Sequence, residues 1–443
     1  MKLTKRRFNL VTYFLIFLFL VINTPFSYAT PNITAPTAVL LDYTTGEVLY
    51  DHNAHNLAFP ASTTKVMTSI LVLENANLDD VLTINEDLYI DGSSMYLLKG
   101  ESFTVKELLQ GLLIRSANDA AEVLAKHVSG SIEDFADLMN KRARELGAKN
   151  THFTNPHGLP DDNHVTTAYD LAIIAKHAMS FELFRDIVST VRLEFPPTEY
   201  TPETRYYRNT NRFLWGTGGN NKILYKDNYE DIKYDIVDGI KTGYTGAAKQ
   251  CLITSAIKDD HRLIAVVLGA EGSNVYLDSR TLIDYGFDNF KLEKIVDKNA
   301  FITNAPILNC SEDNIALYTD TEITAILPND LDPSQIQIET IVDEDIKAPL
   351  PAGQILGRVI YSVDGKILGE SNLISIKDME AKPFIKKLFI PNTFMPVIIV
   401  FLLWQTFVIY KRIKRKRRRK SLYVNVQNYP SSYRFDGSLY RKK

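Results

Sequence analysis

Apolar positions recur along the chain with two periods, and the change of period divides it into regions. Ala38-Val39-Leu40-Leu41 and Glu47-Val48-Leu49-Tyr50 flank Thr44-Thr45-Gly46, which predicts a β-hairpin over residues 37–50. Helical spacing then dominates from residue 62 to about 184. Val66-Met67 and Ile70-Leu71-Val72-Leu73 read as one buried helix. Thr104-Val105-Lys106-Glu107 reads as a capping box ahead of Leu108-Leu109 and Leu112-Leu113. Another helix carries Ala120-Ala121 and Val123-Leu124-Ala125, and residues 166–179 form the clearest later one. Strands return at 235–242, 251–257 and 263–268, the last two joined by a turn at Lys258-Asp259-Asp260-His261. Residues 276–285 read as a closing helix ended by Gly286. Early strands, a helical middle and late strands predict an α/β (α+β) domain: one sheet with helices on both faces and a helical insert.

From about residue 291 short β-rich runs alternate with turns: Ile315-Ala316-Leu317-Tyr318, Ile323-Thr324-Ala325-Ile326, Gln335-Ile336-Gln337-Ile338, 355–361 and 373–376. They predict a small C-terminal all-β domain over 291–380. The two ends are of another kind. Lys2, Lys5, Arg6 and Arg7 precede an apolar stretch and Ser27-Tyr28-Ala29, which reads as a secretory signal over 1–29. Residues 388–410 are apolar and long enough to span a bilayer, and a basic tail over 411–443 follows. Basic flanks stay in the cytoplasm. The expected arrangement is an extracytoplasmic body held at the cell membrane by one transmembrane helix, with its C-terminus inside and the polar end after Lys420 disordered.

Charge sharpens this division. The net −3 of the whole chain conceals 30 basic and 52 acidic side chains in residues 30–381, a formal −22. Such a body is a poor partner for nucleic acid. Cys251 and Cys310 are the only cysteines and fall in different predicted domains, so no disulfide is expected. The eight histidines show no ligand spacing with cysteines or carboxylates, so no metal and no other cofactor is expected.

Candidate chemistry comes from three short motifs in order: Ser62-Thr63-Thr64-Lys65, Ser116-Ala117-Asn118 and Lys241-Thr242-Gly243. A lone S-x-x-K is expected by chance about once in a chain of this size, and each motif alone reads as a helix cap, a loop or a strand end. The ordered trio supplies every part of serine acyl transfer. Ser62 opens a helix, and Lys65, three residues on, shares its face and can reach its hydroxyl. A lysine serves as base only when partly neutral, which burial or a second cation achieves; Lys241 is the candidate cation. Ser116 and Asn118 fall at a helix junction, where Ser116 can relay a proton and Asn118 can hold a peptide amide. The Lys241 strand reads as a sheet edge on which a substrate strand can lie. Lys241 and Thr242 then face a carboxylate, and Gly243 leaves room for another backbone. Tyr244 follows on the same strand.

These motifs and their surroundings resemble the serine-type D-alanyl-D-alanine carboxypeptidases, the low-molecular-weight penicillin-binding proteins. Phe59-Pro60-Ala61-Ser62-Thr63-Thr64-Lys65-Val66-Met67-Thr68 is similar to the nucleophile segment of that family, and Ser116-Ala117-Asn118-Asp119-Ala120-Ala121 to its second motif. Asn155-Pro156-His157-Gly158-Leu159 and Asp238-Gly239-Ile240-Lys241-Thr242-Gly243-Tyr244-Thr245 match as well. The resemblance covers roughly residues 35–380. It implies the penicillin-recognising serine enzyme (β-lactamase-like) fold over 30–290, and a spacer or docking role for the β domain. The implied reaction is hydrolysis of the terminal D-Ala-D-Ala bond of peptidoglycan stem pentapeptides through a Ser62 acyl-enzyme, with the backbone amides of Ser62 and Tyr244 as oxyanion hole and with covalent binding of β-lactam inhibitors. A D,D-endopeptidase, a β-lactamase and an inactive wall-binding scaffold are the alternatives. Intact Ser62, Lys65 and Lys241 oppose the scaffold, and the membrane span and β domain oppose a β-lactamase.

Three departures from the family pattern stand out. Lys249-Gln250 precede Cys251 in place of a Gly-aromatic pair, and residues 216–234 read as an insertion. Thr210 stands where some relatives carry an arginine, with Arg212 as candidate substitute. His157 reads as a loop-packing residue, because Lys65 already fills the role of base.

Overall fold

The computed structural model describes residues 30–383 and 394–423. The predicted signal over 1–29, the first part of the predicted span and the tail after 423 lie outside the described residues. The chain divides into two compact units, one of residues 1–306, 314–346 and 351–378, the other of 307–313, 347–350 and 379–443.

The first unit opens with the expected hairpin, β1 (Thr37–Asp42) and β2 (Val48–His52). Its turn is held by Asp42, whose carboxylate accepts from Thr45 N at 2.6 Å and Thr45 Oγ1 at 2.7 Å. A 3-10 turn, Ala61–Thr64, leads into α1 (Lys65–Asn75). β3 (Val81–Thr83) and β4 (Ser102–Thr104) form a small hairpin inside the stretch read as wholly helical. Three residues of half-exposed strand give too short a period-2 signal to stand out from the helices around them. α2 (Val105–Gln110) starts at the expected capping box, with Thr104 Oγ1 accepting from Glu107 N. A π-type turn, Gly111–Arg115, joins it to α3 (Asn118–Ser129); α4 (Ile132–Leu146), α5 (Ala168–Ala178) and α6 (Glu182–Ser189) complete the helical part.

Two hairpins follow, β5 (Arg192–Phe195) with β6 (Arg205–Arg208) and β7 (Lys222–Tyr225) with β8 (Asn228–Asp231). The second lies within the expected insertion. β9 (Val237–Thr245), β10 (Lys249–Lys258) and β11 (His261–Ala270) then return to the sheet, whose antiparallel order is β2-β1-β11-β10-β9. β9 is therefore an edge strand, as expected. α7 (Asn274–Asn289) closes the domain.

Alternation along the strands sorts the sheet into two faces. Val39, Leu41, Ile253, Ile264 and Val266 join the core shared with the helical part, including Leu171, Ala172 and Ala175 of α5. Ala38, Leu40, Leu252, Leu263 and Ala265 face Val275, Leu282 and Ile283 of α7. Helices thus cover both faces. One boundary is corrected: α7 runs through Gly286 to Asn289. A Cβ at Gly286 would lie 2.5 Å from Leu263 Cδ1 and 2.8 Å from Leu40 Cδ2, so this glycine brings the helix close to the sheet rather than ending it.

The β region contains β12 (Phe290–Val296), β13 (Phe301–Pro306), β14 (Asn314–Thr319), β15 (Ile323–Pro328), β16 (Gln337–Val342), β17 (Ile355–Val363) and β18 (Lys366–Ile374). β12 pairs with β15, and the others form a sheet ordered β13-β14-β18-β17-β16. β12 and β13 carry too many polar residues to stand out in the sequence. Gln335 sits in a 3-10 turn before β16, and Leu373 ends β18 rather than opening a strand of its own. In the second unit short bridges join Leu308 to Lys347, Cys310 to Ala381 and Leu350 to Met379. The same unit carries α8 (Met395–Tyr423), with Met395–Arg418 long and apolar enough to cross a membrane. This helix continues through the basic run instead of stopping at Tyr410, because Lys and Arg are good helix formers.

Candidate active site

Ser62 sits on the 3-10 turn before α1, half-buried, and Lys65 is the first residue of that helix and fully buried. The turn is fixed by its threonines. Thr63 Oγ1 donates to Pro60 O at 2.6 Å, and Thr64 Oγ1 donates to Ala61 O at 2.8 Å. Lys65 Nζ has three partners: Ser62 Oγ at 2.9 Å, Asn118 Oδ1 at 2.6 Å and the backbone carbonyl of His157 at 2.8 Å. Burial, and then the neighbouring Lys241 cation, push the Lys65 ammonium well below its usual range; Asp119 opposes them. A neutral lysine has two N–H groups and one lone pair. Two of the three partners are amide or peptide oxygens that only accept. With both N–H groups of a neutral amine on those oxygens, its lone pair would be left to the Ser62 hydroxyl.

The second motif is held by backbone conformation and by a buried carboxylate. Ser116 follows the π-type turn with φ +65°, and Asn118 begins α3. Asp119 accepts from Ser94 Oγ at 2.6 Å, Met95 N at 3.0 Å and Leu97 N at 3.1 Å, which pins the preceding loop against the motif. Asn118 Nδ2 donates to Asp91 O at 2.5 Å while its oxygen takes Lys65. Its carboxamide, expected to hold a peptide amide, is thus engaged inside the protein and orients Lys65.

On β9 Lys241 is buried, and burial pushes its ammonium down to about 7. Its Nζ donates to Thr242 O at 2.9 Å, and Thr242 Oγ1 donates to Thr210 Oγ1 at 2.6 Å. Gly243 does admit another backbone, but that backbone belongs to the chain itself. A Cβ there would lie 3.0 Å from both Pro60 O and Ser62 N, so the glycine lets β9 pack against the nucleophile turn. Tyr244 is 63% exposed at the rim. Ser62, Ser116, Asn118, Thr242, Gly243 and Tyr244 all line one cleft of about 620 Å³, with Lys65 and Lys241 buried beneath it. All eight residues singled out by the sequence therefore meet in one place.

Some functional positions were read too modestly or missed. His157 does pack a loop, but its carbonyl also belongs to the Lys65 cradle. Gly158 beside it has φ +85°, and a Cβ would lie 1.8 Å from Ala61 O. The Asn155-Pro156-His157-Gly158-Leu159 match was the available signal. Arg212 does line the cleft, as does Thr210. Its Nε donates to Asn221 Oδ1 at 3.0 Å, its Nη2 donates to Asn220 O, and its guanidinium lies 5.4 Å from the Tyr276 ring centroid. The insertion therefore holds this arginine. Asp119 was quoted only as part of the second-motif match, and Arg115, which also lines the cleft, went unremarked, since nothing local distinguishes it. Cys251 is buried behind the nucleophile turn, and burial pushes its thiol up to about 12. Among the described residues no cluster of His, Cys, Asp or Glu is arranged to hold a metal.

A serine on a tight turn engaged by the buried lysine that opens the next helix, beside an edge strand carrying a second buried lysine, is the arrangement that serine acyl transfer needs. Residues 24–272 match the family model described as D-alanyl-D-alanine carboxypeptidase, and residues 290–381 match that of the penicillin-binding protein 5 C-terminal domain. The chain belongs to the D-alanyl-D-alanine carboxypeptidase family and is a serine-type carboxypeptidase. It is 35% identical to D-alanyl-D-alanine carboxypeptidase DacF of Bacillus subtilis over 79% of this chain and 87% of that one. With D-alanyl-D-alanine carboxypeptidase DacA of Haemophilus influenzae the identity is 32%, over 80% and 87%. The crystal structure of penicillin binding protein 5 from Haemophilus influenzae superposes with a TM-score of 0.65 at 31% identity, covering 80% of this chain and all of that one.

Proposed function

We propose that Ser62 attacks the carbonyl between the two terminal D-alanines of a peptidoglycan stem pentapeptide while Lys65 accepts its proton. The observation that carries this reading is the Lys65 cradle: two carbonyl oxygens, at 2.6 and 2.8 Å, leave the lone pair of the neutral amine to the Ser62 hydroxyl at 2.9 Å. Asn118 orients the base. Ser116 passes a proton toward the leaving D-alanine, and the backbone amides of Ser62 and Tyr244 receive the oxyanion. Lys241 and Thr242 take the substrate carboxylate, and Arg212, lining the same cleft, adds a second cation for it. Gly243 serves by letting β9 approach Ser62. Water then releases the acyl-enzyme. A β-lactam enters the same path and stays on Ser62.

The predicted signal, the apolar span and the basic run support a chain anchored in the cell membrane, with its catalytic part outside and its C-terminus in the cytoplasm. The deciding experiment incubates the protein with purified muropentapeptide and follows D-alanine by mass, alongside labelled penicillin and peptide mapping. Release of one D-alanine per peptide and an adduct on the Ser62 peptide are expected. Cleavage only of cross-linked dimers points to an endopeptidase. Labelling that persists in Ser62→Ala removes the nucleophile assignment.

A further inference from the structure

The imidazole of His157 is 6% exposed, yet the base and nucleophile leave it no proton to carry in the reaction. Its surroundings give it another task. Nδ1 accepts from Leu159 N at 3.2 Å, so that nitrogen carries no proton. The ring proton therefore sits on Nε2, which faces Glu122 Oε1 of α3 at 3.5 Å. The loop around the ring is tied down on every side. Asn155 Oδ1 accepts from His157 N at 3.3 Å and Gly158 N at 2.7 Å, and Thr68 Oγ1 donates to Pro156 O at 2.6 Å. The peptide so fixed ends in the carbonyl that receives Lys65 Nζ.

We infer that His157 is a positioning residue: its neutral, Nε2-protonated ring locks the 155–159 loop so that its own carbonyl holds Lys65 in register with Ser62, and protonation of the ring releases that lock. A second proton on Nδ1 would set two donors face to face, so the ring charges only by letting go of Leu159. The titratable groups around it are Glu122 of α3, with Lys126 4.0 Å behind it, Lys65 of α1, with Lys241 beyond, and His164 and Asp161 of the following loop. Burial opposes a charge on the ring, as does Lys65 whenever it holds its own proton, while Glu122 favours one, and burial dominates. The lock is therefore closed at neutral pH and opens in acid.

This inference rests on Lys65 as the base, and its test separates the two. In the full-length protein, His157→Asn places a side-chain oxygen where Nδ1 accepts, whereas His157→Gln reaches toward Glu122 and leaves Leu159 N unpaired. The second-order rate of penicillin acylation, the non-covalent affinity and the thermal unfolding of each variant are measured against pH. His157→Gln is expected to slow acylation about tenfold or more with affinity unchanged, since a small misplacement of a reacting group costs up to about 10²-fold. His157→Asn is expected to recover most of that loss. Its acid limb should follow one proton where the wild type follows two. Equal losses in both variants, or identical acid limbs in wild type and His157→Asn, overturn the proposal. If His157→Gln does not fold, the nitrogen shifts of ¹⁵N-histidine in the wild type decide: a proton on Nδ1 at neutral pH overturns it. Wild-type acylation by Lys65→Arg would instead remove the base and leave the ring's tautomer a separate result.

Discussion

Lys65 shows how much a residue's chemistry depends on what surrounds it. An ordinary lysine is charged at neutral pH, and a charged amine is no base. Here burial and a nearby Lys241 favour the neutral form, and the two carbonyl acceptors fix where its lone pair lies. Lys65→Arg keeps the charge but does not give up a proton. Acylation by penicillin should fall about 10²–10⁴-fold, the usual contribution of a general base, with the circular dichroism spectrum unchanged. Acylation at the wild-type rate would place the base elsewhere. Lys241 adds a stability consequence. Its pKa falls from 10.5 to about 7 on folding. Between those values the unfolded chain binds more protons, so this group's contribution to stability improves as pH rises. Its penalty is complete below about 7. Lys241→Met should therefore raise the melting temperature at pH 7 and by less at pH 9, while abolishing acylation. A gain that grows with pH would contradict the assignment.

At the scale of elements, close approach positions the site. The nucleophile turn is squeezed between the 155–159 loop and β9, and a glycine makes each contact possible: Gly158 beside Ala61 and Gly243 beside Pro60 and Ser62. Gly158→Ala combines a left-handed backbone with a clash against a carbonyl, and a clash with backbone has no flexible side chain to yield. It should cost more than the roughly 1–2 kcal/mol of left-handed strain alone. Gly147→Ala, at φ +93° on the end of α4 with nothing near, should cost about that strain and no more. Urea unfolding of both variants gives the comparison; an equal loss would show that the loop yields. Residues 216–234 act at the same scale. Tyr225 and Tyr234 donate to Asp284 of α7, and the Arg280 guanidinium lies 4.6 and 4.7 Å from their ring centroids. The hairpin is thus tied to α7, and its neighbouring loop holds Arg212.

Across the whole molecule, the candidate site and the proposed anchor occupy different stretches of chain. Every residue given a role at the site lies before Tyr276, and among the described residues Met395–Arg418 is the helix long and apolar enough to cross a membrane. Truncation after Ala381 should therefore give a protein that partitions into the soluble fraction and acylates at the full-length rate. In intact wall-stripped cells, external protease should digest the region around Ser62 and spare a tag placed after Lys443. A truncated form that stays with the membrane, or a tag lost to external protease, would show that the anchor has been misread.

The sequence alone determined what is local or periodic. The i, i+3 spacing of Ser62 and Lys65, the Thr104 capping box and the turns at Thr45 and Asp259 depend on neighbours in the chain. So does the alternation that sorts Leu40 and Leu41 to opposite faces of the sheet. The order of the three motifs carried the rest of that reading, including the family. Tertiary structure alone decided how those parts act. The acceptors that aim Lys65 lie 53 and 92 residues away. The lowered pKa of Lys241 comes from burial that no single segment provides. Which backbone Gly243 admits, why Gly286 stands inside a helix and what holds Arg212 are all consequences of surfaces brought together by packing. Periodicity shows which face of an element is buried; it does not show what lies against that face.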